Sequence, residues 1–139
     1  MGYYAHLLKG DPFTITNPTA VLNRLAETEQ NMGDTVRHSW CQPVASYRIR
    51  NTDQNALVRI LTDFGFTAED ASNDGVKVTG FDDNKLGGSW DKFWDAFAQG
   101  TTDEVSWIMC GEDGEHWAEV ITTDGHRSAS VTVNYTVEV

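Results

Sequence analysis

Residues 53–81 read DQNALVRILTDFGFTAEDASNDGVKVTGF, and this stretch decides the fold class. Leu57, Ile60, Leu61 and Phe64 recur at i, i+3, i+4 and i+7, which places them on one stripe of a helix. Asn51 or Thr52 supplies the N-cap, and Gly65 stops the helix. Phe66–Asp70 then reads as a short strand, Asn73-Asp74-Gly75 as a turn and Val76–Phe81 as the returning strand. A helix followed directly by a hairpin predicts an α+β chain.

Working outward, Tyr47 and Ile49 alternate with Arg48 and Arg50, so 45–50 reads as a strand with one wet face. Asp82–Gly88 is a polar loop, and Ser89 caps a helix carrying Trp90, Phe93, Trp94 and Phe97. Val105–Cys110, Glu115–Thr122 and Ser128–Val137 follow as strands, joined by Asp113-Gly114 and Asp124-Gly125 turns. Residues 45–110 thus read β-α-β-β-α-β, the order of a ferredoxin-like core. The C-terminal hairpin strands extend its antiparallel sheet, and helices cover one face. Before the core, weak alternation around Tyr3, Tyr4, Leu7 and Leu8, then Phe13 and Ile15, reads as one or two strands, and Asn17-Pro18 opens a helix carrying Val21, Leu22, Leu25 and Ala26. Residues 32–45 follow neither period. The expected organisation is one domain over 1–139: an N-terminal strand, helix and long loop (1–44), the core (45–110) and the hairpin extension (111–139).

The 139 residues hold 10 Lys+Arg and 21 Asp+Glu, a formal net charge of −11. The chain is long enough for a core without staples, and its 40% hydrophobic content excludes a disordered polymer. No apolar run reaches the ~20 residues of a membrane helix. The opening MGYYAHLLKG lacks a secretory profile, and His6 stands where a myristoylation motif needs Ser or Thr. Cys41 and Cys110, far apart in a leaderless chain, read as reduced thiols, so the expected location is cytoplasmic. Charge is uneven: residues 1–59 hold five acids and six bases, whereas 60–139 hold sixteen acids and four bases. Such a field repels nucleic acid and favours a basic protein surface; it equally serves solubility.

The candidate partner-binding residues are Asp82, Asp83, Asp91, Asp95, Asp103, Glu104, Glu112, Asp113 and Glu115, with Trp40 in the long loop. Asp91 and Asp95, four apart, share one helix face, which also fits a merely solvated surface. Trp40 fits equally an anchor tucked beneath its own loop. A weaker metal reading takes His38, Cys41, Cys110 and His116; His38-x-x-Cys41 is one close pair, but there is no CxxC. An EF-hand loop starting at Asp82 fails at its twelfth position, Phe93. A Cys41 nucleophile with His38 or His116 is conceivable, with His6 and His126 as spare bases, but no local signature supports it. P-loop, dinucleotide and nucleophile-elbow motifs are absent. The aromatics of the third helix have core spacing, and Trp107 and Trp117 sit where they can pair across a hairpin.

Gly2-Tyr3-Tyr4, Phe64-Gly65-Phe66, Gly80-Phe81-Asp82, Asn84-Lys85, Trp107, Gly111-Glu112-Asp113-Gly114 and Trp117 together resemble small proteins of actinobacteria and their phages. That resemblance assigns no activity to any residue. It implies a mobile-element setting in which small acidic proteins occupy host proteins. The leading expectation is an acidic protein-binding module, without a cofactor, that occludes the basic cleft of a nucleic-acid-handling protein, in the manner of an anti-CRISPR or anti-restriction inhibitor. The alternatives are a metal-binding or thiol-dependent enzyme, and a homodimeric accessory protein pairing through the edge strand 128–137.

Overall fold

A computed structural model of the chain describes residues 3–32, 43–81, 84–86, 90–132 and 137. The elements run β1 (Tyr3–Lys9), β2 (Phe13–Ile15), α1 (Pro18–Met32), α2 (Val44–Arg48), α3 (Asp53–Phe64), β3 (Phe66–Asp70), β4 (Val76–Phe81), β5 (Asn84–Leu86), α4 (Trp90–Gly100), β6 (Val105–Gly111), β7 (His116–Thr122) and β8 (Gly125–Ser130). One antiparallel sheet has the order β5-β1-β6-β7-β8, and a second has the order β2-β4-β3. The chain is therefore an α+β fold, with antiparallel sheets and four α-helices among the described residues. Among the described residues no helix is long and apolar enough to cross a membrane.

Local chemistry explains the helix boundaries. Asn17 Oδ1 accepts the Ala20 N–H at 3.1 Å, and Thr52 Oγ1 accepts that of Asn55 at 3.2 Å, so each helix start has one orphan donor satisfied. Gly65 closes α3 with φ 128°, its N–H reaching the Leu61 carbonyl at 3.0 Å. Leu57, Ile60 and Leu61 are fully buried, as their spacing requires.

Three expectations are corrected. Residues 45–50 are not a strand: Val44 and Tyr47, three apart, are the buried pair of α2, while Ile49 is 65% exposed. Glu29 Oε1 accepts the Val44 N–H at 2.7 Å, and the Tyr47 hydroxyl donates to Asp63 at 2.8 Å, so side chains of α1 and α3 fix this turn as helix. The ferredoxin-like core drawn on 45–110 therefore loses its first strand. The N-terminal strands take part instead: β1 pairs with β5 on one side and β6 on the other, and β2 pairs with β4 in the second sheet. Residues 84–86, expected in a loop, form β5 by pairing with Tyr3–Ala5. The last strand starts earlier than expected, at the Asp124-Gly125 turn itself, and β8 ends at Ser130; residues 133–136 lie outside the described residues.

The core is aromatic. Val105, Trp107 and Met109 alternate inward along β6, against Trp94 and Phe97 of α4 and Phe13 of β2. The Trp94 and Trp107 rings meet edge to face at 5.1 Å, and Phe13 meets Trp107 at 5.5 Å. Such pairs add about 0.5–1.5 kcal/mol each beyond the burial of their area. Trp107 and Trp117 do not pair across the hairpin, because Trp117 stands opposite Met109 and Trp107 opposite Glu119.

Candidate functional site

Where β6 begins and β7 ends, the chain builds an acidic groove. Its far wall is set by the bend between β1 and β2. A Cβ on Gly10 would fall 2.5 Å from the Trp107 ring, so glycine is what lets this bend lie on the indole. Trp107 Nε1 then donates to the Asp11 carbonyl at 2.8 Å and fixes Asp11 at the rim. The near wall is residues 101–104, pinned to β2: Thr101 Oγ1 donates to the Thr14 carbonyl at 2.7 Å, and the Thr14 N–H donates to Asp103 Oδ2 at 2.9 Å.

Between these walls lies a groove of about 330 Å³, lined by Pro12, Val105, Val120 and Ile121 together with Ser106, Thr122, Asp11 and Glu104. A second groove of about 270 Å³ adjoins it, sharing Glu104 and Thr122 and adding Asp103 and Ala98. Among the described residues, no lysine, arginine or histidine lines either groove. The ion pairs among the described residues are Arg48–Asp53 and the two of His126, so Asp11, Asp103 and Glu104 have no internal counter-charge among them. Apolar side chains set among carboxylates that lack an internal counter-charge suit a lysine or arginine side chain, whose stem is apolar and whose head is cationic.

A second constellation is buried. Glu119, fully buried on β7, accepts from Trp90 Nε1, Trp117 Nε1 (3.1 Å) and Ser128 Oγ, and pairs with His126 Nε2 at 2.9 Å. His126 Nδ1 stands 2.7 Å from Asp95 Oδ1 on α4. Burial pushes the Glu119 carboxyl up, but these four hydrogen bonds together hold it below its ordinary value of 4.5. Burial pushes His126 down, yet its bonds to Glu119 and Asp95 and their two negative charges hold it above 6.5. The ring therefore lies between two carboxylates that favour its protonated form. This is not a nucleophilic triad: both ring nitrogens lie within hydrogen-bond distance of carboxylates, and Ser128 donates to Glu119, so no base faces the serine hydroxyl to take its proton. Its work is to fasten β8 and β7 to α4.

The structure disperses the acids singled out in the sequence. Asp103 and Glu104 stand before β6, and Glu112, Asp113 and Glu115 after it, so seven strand residues, about 23 Å, separate the two groups. Glu112, Asp113 and Glu115 surround the tight Gly111–Gly114 turn and are exposed. Asp91 is exposed, while its helical neighbour Asp95 is bound to His126. Asp82, Asp83, Trp40, His38 and Cys41 lie outside the described residues. Cys110 and His116 stand directly opposite each other on β6 and β7, with His6 opposite Cys110 on the other side. Among the described residues, however, no group of three His, Cys, Asp or Glu side chains is arranged to hold a metal ion.

Two features escaped the sequence reading. Glu119 stands between Trp117 and Ile121 on the inward side of β7, and a carboxylate in that register was a visible signal of a buried polar partner. Asp11 had no such signal, since only the fold carries it to Glu104. No family model, curated protein or solved structure matches the chain.

Proposed function

We propose that this protein is a protein-binding module that receives a basic segment of its partner in the acidic groove. The observation that carries the reading is the coincidence of the two adjoining grooves with Asp11, Asp103 and Glu104, apolar lining side chains and, among the described residues, no lining base. The surrounding field supports it: a chain of net charge −11 steers a cationic surface toward itself over a Debye length of about 8 Å at physiological salt. The finer form of the proposal is an inhibitor that occupies the basic cleft of a nucleic-acid-handling protein. The resemblance to small actinobacterial and phage proteins supports that form.

The test is a titration of an arginine- and lysine-rich peptide against the protein at low and at physiological salt. The reading expects saturable binding that weakens steeply with salt and that Glu104→Gln with Asp11→Asn weakens roughly tenfold or more. Binding unaffected by those two substitutions removes the groove as its seat.

A further inference from the structure

Strand β8 is fastened by polar contacts rather than by a buried apolar face. Among the described residues it pairs with β7 alone, at the edge of the five-stranded sheet. Its sequence is GHRSAS; the one apolar side chain is the methyl of Ala129, and none of the six residues is buried as a whole. Edge elements with so little buried apolar surface open at a smaller free energy than the core strands beside them. Beyond the ladder to β7, His126 and Ser128 tie the strand down. The His126 side chain is only 5% exposed, and both side chains reach Glu119. His126 also ties β8 to α4, through Nδ1 to Asp95 Oδ1 at 2.7 Å and through the Trp94 ring, stacked 6.1 Å away.

Both ring nitrogens face carboxylate oxygens, so both contacts are hydrogen bonds only while both nitrogens carry a proton. The two carboxylates differ in freedom. Glu119 is fully buried and fixed by Trp90, Trp117 and Ser128, whereas the Asp95 side chain is 41% exposed. A proton lost from the ring therefore leaves Nδ1 for solvent, and the neutral ring keeps its Nε2–H on Glu119. The bare Nδ1 then faces Asp95 Oδ1, acceptor against acceptor, and the two separate. Asp95 has other partners at hand: with Arg24 and Glu27 of α1 and with Lys92 it lines a groove of about 170 Å³. Asp91, one turn earlier on α4, is exposed, and Arg127 points to the opposite face of β8. The charges that meet the ring are thus those of Glu119 and Asp95.

We propose that β8 is a clasp held by a proton: loss of the Nδ1 proton of His126 unties the strand from α4, and the β7–β8 ladder opens locally while the β1–β6 ladder stays shut. Burial disfavours the charged ring, yet its bonds to the two carboxylates and their charges hold the proton on above the ordinary value of 6.5. The clasp is therefore shut below pH 6.5 and opens as pH rises through the raised value. The opening reaches the acidic groove, because Ile121 and Thr122, which line it, are the register partners of His126 and Gly125. That consequence rests on the groove reading; the clasp does not.

Residue-resolved amide hydrogen exchange of the full chain over a pH series, corrected for the intrinsic rate, tests the inference beside an NMR titration of the His126 ring. Protection of the β7–β8 ladder is expected to fall roughly tenfold or more across the midpoint of His126, with the β1–β6 ladder unchanged. Asp95→Asn keeps the size and an acceptor oxygen but removes one charge, so it moves the His126 midpoint and the release together to lower pH. His126→Ala leaves the β7–β8 ladder poorly protected at every pH. Glu104→Gln, in the peptide groove, leaves the release where it is in the wild type, so failure of the groove reading and failure of this one are told apart. A β7–β8 ladder that keeps pace with β1–β6 through the His126 midpoint overturns the inference, as does an Asp95→Asn chain that releases at the wild-type pH.

Discussion

The chain concentrates carboxylates in two structurally different ways. In the buried cluster, Glu119 and Asp95 are engaged by indole, hydroxyl and imidazole donors, and their charge is compensated inside the fold. In the strand-end grooves, Asp11, Asp103 and Glu104 stand among apolar and hydroxyl side chains without an internal counter-charge among the described residues. The first set holds elements together; the second is the one we propose a partner engages. Acidity alone does not separate these roles: Asp95 and Asp103 belong to the same acid-rich half of the chain.

The sharpest way to break the contrast is to remove the buried acid. Glu119→Leu leaves Trp90, Trp117 and Ser128 without their acceptor and is expected to cost about 3–5 kcal/mol in denaturant unfolding. The double variant Glu119→Leu/His126→Leu removes the stranded cation as well and is expected to be more stable than Glu119→Leu alone. Equal stability of the two would show that His126 carries no charge in the folded chain.

Acidity should reveal the same cluster without mutation. His126 is held above 6.5, so its contribution is complete below pH 6.5 and is lost as pH rises through the raised value. Glu119 is held below 4.5, so its contribution is complete above pH 4.5 and is lost as pH falls through the lowered value. Melting temperature is therefore expected to be highest between pH 4.5 and 6.5, and His126→Phe should flatten the alkaline side of that profile.

In the groove the balance reverses. Glu104→Gln and Asp11→Asn are expected to change stability by no more than about 0.5 kcal/mol, because neither side chain has an internal ion pair among the described residues. The smallest effect separates two buried indoles. Trp107 Nε1 donates to the Asp11 carbonyl at 2.8 Å, whereas Trp94 Nε1 has no partner among the described residues. Trp107→Phe is therefore expected to cost about 1 kcal/mol more than Trp94→Phe in thermal unfolding, and to loosen the Asp11 side of the groove.

The sequence carried the elements better than their partners. Apolar periodicity located α1, α3 and α4, and the Asp-Gly turns located the β6-β7-β8 meander, because both signals are local. The α2 segment misled because Tyr47 and Ile49 satisfy a strand period over only a few residues, and the contacts that decide for helix come from Glu29 and Asp63, distant in sequence. The site was legible only in part. Asp103 and Glu104 stood out as acids, but Asp11 joins them through Gly10 and Trp107, a contact across 96 residues. His126 was visible only as a spare base, since its two carboxylates come from α4 and β7.

The most direct test compares three proteins in one salt-controlled peptide titration: the wild type, Asp11→Asn/Glu104→Gln in the groove, and Glu112→Gln/Asp113→Asn at the far turn. Both variants remove two charges from the same net −11, so long-range steering falls equally. Weakened binding of a basic peptide by the groove pair, with the turn pair close to wild type, is the predicted result. Equal weakening by both pairs would reduce the acidity to a diffuse field and contradict a groove-based site.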